Sequence, residues 1–278
     1  MIGVFDSGSG GVTILAALKK RLPAQDFLYL GDHANAPYGH RSNEQIVNLT
    51  RIGVDALMAA GCSLVVLACN TAAAVALRSL QQNWLPDAHP TKRILGVLVP
   101  TVEALTGVPW SQEHPHTEPQ PAKNVLLFAT RKTVESGAFI DETHKRAPHL
   151  SLKGKACPGL VDAIEGGAGP RPLAGLISGY VTESDAEHAD AVILGCTHFP
   201  LVKQYFEQAL PPGTPILSQP DIVASSLADY LLRHPERAIT GSGKIQFMTT
   251  GDPSEVNSLK HSLPHGVEDF VKFNNNKT

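Results

Sequence analysis

Two stretches of this 278-residue chain share an order of residue types that could move a proton. In VVLACNTAA (65–73) and AVILGCTHFP (191–200), an apolar run ends in a small residue and then in Cys69 or Cys196. Asn70 and Thr71 follow the first thiol, Thr197 and His198 the second. A thiol acts as a base only when ionised, and at its reference pKa of about 8.5 only a few per cent is ionised at pH 7. A working thiol therefore needs an activating neighbour. A third stretch, FDSGSGG (5–11), sets Asp6 and Ser7 at the end of another apolar run. Asp-Ser-Gly is half of an aspartic-protease site, which needs a second such element to share a proton, and the chain has only one. A phosphate cradle needs Gly-x-Gly-x-x-Gly or a terminal Lys-Ser/Thr; here Gly8-Ser9-Gly10-Gly11 runs into Val12-Thr13. What remains is a turn that offers a carboxylate, a hydroxyl and backbone N–H groups.

Apolar runs at 2–5, 26–30, 64–68, 94–98, 124–129, 191–195 and 215–218 predict buried strands. Between them, 12–22, 42–61, 71–84, 172–183 and 221–233 predict helices; Ser42 and Gln45 have capping-box spacing, and Gly61 marks a stop. Continuous Val/Ile/Leu strands alternating with helices imply parallel sheets covered on both faces, an α/β fold. Ligands of such sheets sit beyond the carboxyl ends of the strands. The two alike cysteine units, 127 residues apart, therefore predict two similar lobes that present their thiols to one inter-lobe cleft. The expected lobes are 1–98 with 208–278, carrying Asp6 and Cys69, and 99–207, carrying Cys196 and His198. Residues 109–122, PWSQEHPHTEPQPA, predict a surface loop with solvated His114 and His116. Cys62 and Cys157 lack activating neighbours and are expected to be packing residues.

Composition narrows the partners. A net charge of −3 without a basic block argues against nucleic-acid or membrane surfaces. No apolar run approaches the ~18 residues that span a bilayer. No charged segment precedes an apolar run at the start, so a secretory signal is not expected and a cytoplasmic location is. None of the four cysteines forms a Cys-x-x-Cys pair, so no disulfide framework is expected. The expected partner is a small molecule, with a homodimer left open.

Further motifs extend these: GDHANAPYGHRS (31–42), FATRKTVESGAF (128–139), ACPGLVDAIEGG (156–167) and ILGCTHFPL (193–201). Together with FDSGSGG and LACNTAA, and in this order, they resemble the glutamate racemases of the aspartate/glutamate racemase superfamily. The resemblance implies cofactor-independent inversion of glutamate for peptidoglycan synthesis, by two thiols that flank Cα. It implies that Asp6 partners Cys69 and His198 partners Cys196, with Glu165 an accessory carboxylate. It implies that Cys69 takes the proton from D-glutamate and Cys196 from L-glutamate. The substrate cradle it implies comprises Asp6, Ser7, Tyr38, Gly39, Asn70, Thr71, Thr130, Thr133, Thr197 and His198. The chain departs from the pattern at His33-Ala34, where Thr-Ala is usual, and at Val99-Pro100-Thr101, where Glu-Pro-Gly is usual. Aspartate stays open as the substrate. Other classes are a one-cysteine decarboxylase, a non-catalytic amino-acid-binding protein, and a zinc enzyme using Cys69, Cys196 and His198.

Overall fold

In the computed structural model, which describes residues 1–110, 112, 123–238, 241–258, 263–264 and 266–273, the predicted apolar runs become strands of two parallel sheets. The chain first lays down β1 (Ile2–Asp6), α1 (Val12–Arg21), β2 (Phe27–Gly31), α2 (Asn43–Ala59) and β3 (Leu64–Leu67). It continues through α3 (Asn70–Val75), α4 (Leu77–Ser79), a π-helical turn (Leu80–Trp84), α5 (Leu85–Ala88), β4 (Arg93–Gly96) and α6 (Leu98–Thr106). The single helix expected at 71–84 is thus interrupted after Val75. Ser42 caps α2 as its spacing predicts, accepting from the Gln45 N–H while the Gln45 side chain accepts from the Ser42 N–H.

The second sheet begins with β5 (Lys123–Ala129), followed by α7 (Arg131–Glu135), α8 (Ala138–Arg146), β6 (Leu150–Ala156), α9 (Leu160–Glu165) and α10 (Pro170–Thr182). Then come β7 (Ala191–Gly195), α11 (Lys203–Ala209) and β8 (Ile216–Ser218). The chain returns to the first sheet through α12 (Gln219–Arg233), β9 (Ile245–Thr249), α13 (Pro253–Ser258) and β10 (Val271–Lys272). Among the described residues the strand orders are β10-β9-β2-β1-β3-β4 and β6-β5-β7-β8. Because β8 pairs with β7, the second sheet extends to Ser218, and the return begins later than the 208 expected from sequence. A short run such as PILS carries no mark of which sheet it joins. The Pro-rich 109–122 segment, with His114 and His116, lies almost wholly outside the described residues.

Continuous burial along β1, β2 and β3 matches strands covered on both faces. One core gathers Phe5, Tyr29 and Leu67 around the first sheet; Phe128, Phe199 and Phe206 anchor another beside the second. The carboxyl ends of β1, β3, β5, β6 and β7 open toward a shared cleft. Thr13 Oγ1, on α1, donates to the Thr197 carbonyl at 2.9 Å and ties the two halves at its edge. Among the described residues, no helix is long and apolar enough to cross a membrane.

Candidate active site

Cys69 sits where β3 ends and α3 begins. Its sulfur accepts from the Ala72 N–H at 3.4 Å, as the N-cap of α3, and its S–H donates to Ser7 Oγ at 3.4 Å. Burial, reinforced by the nearby Asp6 charge, pushes this thiol up to about 12. Asp6 does not hydrogen-bond the sulfur; Ser7 does. The Asp6 carboxylate is wholly buried and accepts from the Gly8 N–H at 2.9 Å and from Thr197 Oγ1 at 3.3 Å. Burial raises Asp6 above its ordinary value, although His198 and the backbone N–H groups of Gly8 and Gly11 pull it the other way.

Cys196 sits at the corresponding place after β7. Its sulfur lies 3.9 Å from His198 Nδ1, and His198 Nε2 lies 2.8 Å from Glu165 Oε1, on α9. Burial alone would lower His198, but hydrogen bonds to Cys196 and Glu165 outweigh it and hold the imidazole well above its ordinary value. Burial would likewise raise Glu165, yet His198 holds it below the usual carboxylate range. The loop that follows β1 passes so close that a Cβ on Gly10 would strike the His198 ring and the Thr197 hydroxyl.

Both thiols line one cavity of about 530 Å³, together with Ser7, Tyr38, Asn70, Thr71, Thr130 and Thr197. That volume is the scale of a small-molecule site. The hydroxyls of Thr71, Thr130 and Thr133 meet at 2.9–3.3 Å, bringing α3 and the start of α7 together. Gly39 and His198 also face the cavity, whereas Glu165 acts from behind His198. Two expected substrate ligands spend their side chains elsewhere. Tyr38 Oη donates to Asp32 Oδ2 at 2.7 Å, and the Asn70 amide exchanges bonds of 2.6 and 2.9 Å with Gln219.

Cys157, expected to be only a packing residue, lines the same cavity close enough to Cys196 to feel its charge; burial chiefly, and then that charge, raises its thiol. It follows directly after β6, much as the other two follow β3 and β7, but no apolar run marks β6 in the sequence, so that place was not legible there. Cys62 lies buried in the first core, as expected, with burial pushing it up to about 11. Sequence reasoning also missed the rim, where Arg131, Lys132, Glu135, His40 and Asp162 surround the opening. Their charges look like ordinary helix-surface residues until the fold places them.

The model of the Asp/Glu/Hydantoin racemase family matches residues 2–227. A glutamate racemase of Phenylobacterium zucineum (strain HLK1) is 46% identical, covering 97% of this chain and 98% of its own length. One from Paracoccus denitrificans (strain Pd 1222) is 48% identical, covering 94% and 97%. The crystal structure of Thermus thermophilus glutamate racemase in complex with β-chloro-D-alanine superimposes with a TM-score of 0.81 at 31% identity, over 98% of this chain and 95% of that one.

Proposed function

Since the chain belongs to the Asp/Glu/Hydantoin racemase family, we propose that it interconverts L-glutamate and D-glutamate with two thiols and no cofactor. The observation that carries this reading is that Cys69 and Cys196, at equivalent strand ends of different sheets, open onto one cavity. Inversion removes the Cα proton on one face and returns a proton on the other, so one group must be ionised while its opposite is protonated. The two surroundings supply that difference. A sulfur held near pKa 12 is almost wholly protonated at neutral pH, which makes Cys69 the resting donor. An imidazolium, its charge balanced by Glu165, is the partner suited to a thiolate at Cys196.

In this reading, the Cys196 thiolate takes the proton of L-glutamate, leaving a carbanion, and the Cys69 thiol protonates the opposite face. The two sulfurs exchange protonation states and serve the D-to-L direction in reverse. Donors at the helix starts of α3 and α7, with the threonine hydroxyls, would hold the substrate carboxylates. The D-glutamate formed would feed peptidoglycan synthesis in the cytoplasm.

Dialysed, chelator-treated protein, followed by circular dichroism, should bring either enantiomer to an equal mixture. Solvent deuterium should enter Cα as it does. A requirement for pyridoxal phosphate or a metal overturns the cofactor-free mechanism. Faster turnover of D- and L-aspartate under the same conditions moves the substrate assignment.

A further inference from the structure

His33, at one of the positions where this chain departs from the family pattern, lies in a network of its own. Its ring rests in the space left by Gly31, where a Cβ would strike it, and stands near-perpendicular to the Phe270 ring with centroids 5.3 Å apart. Nδ1 lies 3.1 Å from the Gly31 carbonyl and 2.9 Å from Thr249 Oγ1. A carbonyl can only accept, which assigns the proton to Nδ1 and leaves a bare lone pair on Nε2. Nε2 lies 2.8 Å from Ser9 Oγ and so accepts the Ser9 hydroxyl. Burial, the largest influence on this ring, lowers its basicity and favours that neutral form.

Ser9 is buried in the turn pressed against the Glu165–His198 pair. Its backbone N–H stabilises the Glu165 carboxylate. On either side of it, a Cβ on Gly8 would stand 3.1 Å from Glu165 Oε1, and one on Gly10 would strike His198. The path from His33 through Ser9 to Glu165, His198 and Cys196 is therefore continuous contact. On the racemase reading above, we propose that His33 is a positioning residue for the Cys196 half of the reaction, acting through the Ser9 hydroxyl on the Glu165–His198 pair. It touches neither substrate nor sulfur, and Cys69 lies outside its path.

The test compares wild type with Ser9→Ala, His33→Asn and His33→Gln, using glutamate deuterated at Cα as either enantiomer. Asn retains an amide near Nδ1 but loses the acceptor for Ser9; Gln can place a carbonyl oxygen near Nε2. With an equilibrium constant of one, kcat/KM must fall equally in both directions. A fall of about 3- to 10-fold is the scale of one net hydrogen bond. The isotope effects carry the distinction. A slower Cys196 step should raise the primary effect from L-glutamate, whose bond Cys196 breaks, and lower that from D-glutamate. Ser9→Ala and His33→Asn should both do this, His33→Gln should restore values close to wild type, and the double variant should be no worse than either single one. Isotope effects that stay put or move together, or losses that add, overturn the proposal. Ser9→Ala decides alone should a His33 variant fail to fold. Wild-type protein inactive on glutamate overturns the racemase reading; an active wild type with unmoved isotope effects overturns only the role of His33.

Discussion

Cys69 and Cys196 meet different neighbours, and on the proposed mechanism that difference makes Cys69 the first donor. A serine hydroxyl and a nearby carboxylate surround the first sulfur, an imidazole braced by Glu165 the second. Serine in place of either thiol is a far weaker base, so Cys69→Ser and Cys196→Ser should each lower kcat by at least about 10²-fold, the lower end of what one acid–base group contributes. Steady-state rates in both directions check this, and near-normal turnover by either variant removes the two-thiol mechanism. Asp6 leads to a stability prediction. Its folded-state value is raised by burial, so the unfolded chain ionises first as pH climbs past the ordinary 3.8. The stability that the protonated form contributes is present below 3.8 and is lost as pH rises through the folded value. Asp6→Asn keeps an acceptor for the Gly8 N–H and has no charge to bury. It should melt at a higher temperature than wild type at pH 7, with the gap closing as pH falls toward 3.8, while losing activity. An unchanged gap across that range excludes the buried charge as the cause. Asp6, Cys69, Cys196 and His198 were readable because each lies within three residues after an apolar run that marks a strand. The meeting of Thr71 with Thr130 and Thr133 was not, because spacing along the chain says nothing about contacts between different sheets.

At the scale of elements, α3 carries Cys69 as its N-cap, and Gln219 at the start of α12 is one of the anchors of α3. Gln219 is fully buried; its amide donates to Asn70 Oδ1 at 2.9 Å and to Thr101 Oγ1 at 2.9 Å, and accepts from Asn70 Nδ2 at 2.6 Å. One side chain therefore joins α3, α6 and α12, and Thr101 stands at the Val99-Pro100-Thr101 departure. Gln219→Ala would orphan both polar atoms of the Asn70 side chain, each costing about 1–3 kcal/mol when buried. The expected losses are a lower denaturant midpoint with an unchanged slope, and reduced turnover from a misplaced Cys69. An unfolding free energy within about 0.5 kcal/mol of wild type would show that other contacts suffice to hold α3. Most strands at the site were visible as apolar runs, since parallel strands are buried on both faces. β6 was not: LSLKGKA lies at a sheet edge and exposes much of its length, so no continuous run marks it. The short helices α7 and α9, which carry Thr133 and Glu165, span five and six residues, too few for a helical period to show.

At the scale of the molecule, the cavity has no owner in either half. Cys69 and Thr71 stand at the start of α3 beyond the first sheet, Thr130 and Cys196 beyond strands of the second, so an amino acid bound as proposed would touch both. Binding then requires both halves folded and in register, and ligand free energy must appear as stability of the whole chain. At 100 times its dissociation constant, a ligand specific to the folded state contributes about 2.7 kcal/mol. For a chain of this size, that corresponds to a rise in melting temperature of roughly 5–10 °C. Cys196→Ser is the protein in which to measure it, because racemisation would otherwise mix the enantiomers during the scan. With L- or D-glutamate present, hydrogen exchange should slow at the carboxyl ends of β1 and β3 and of β5 and β7 alike. Protection confined to one sheet, or a melting curve indifferent to both enantiomers, would mean that the cavity between the sheets is not where glutamate binds, and the two thiols would lose their common substrate.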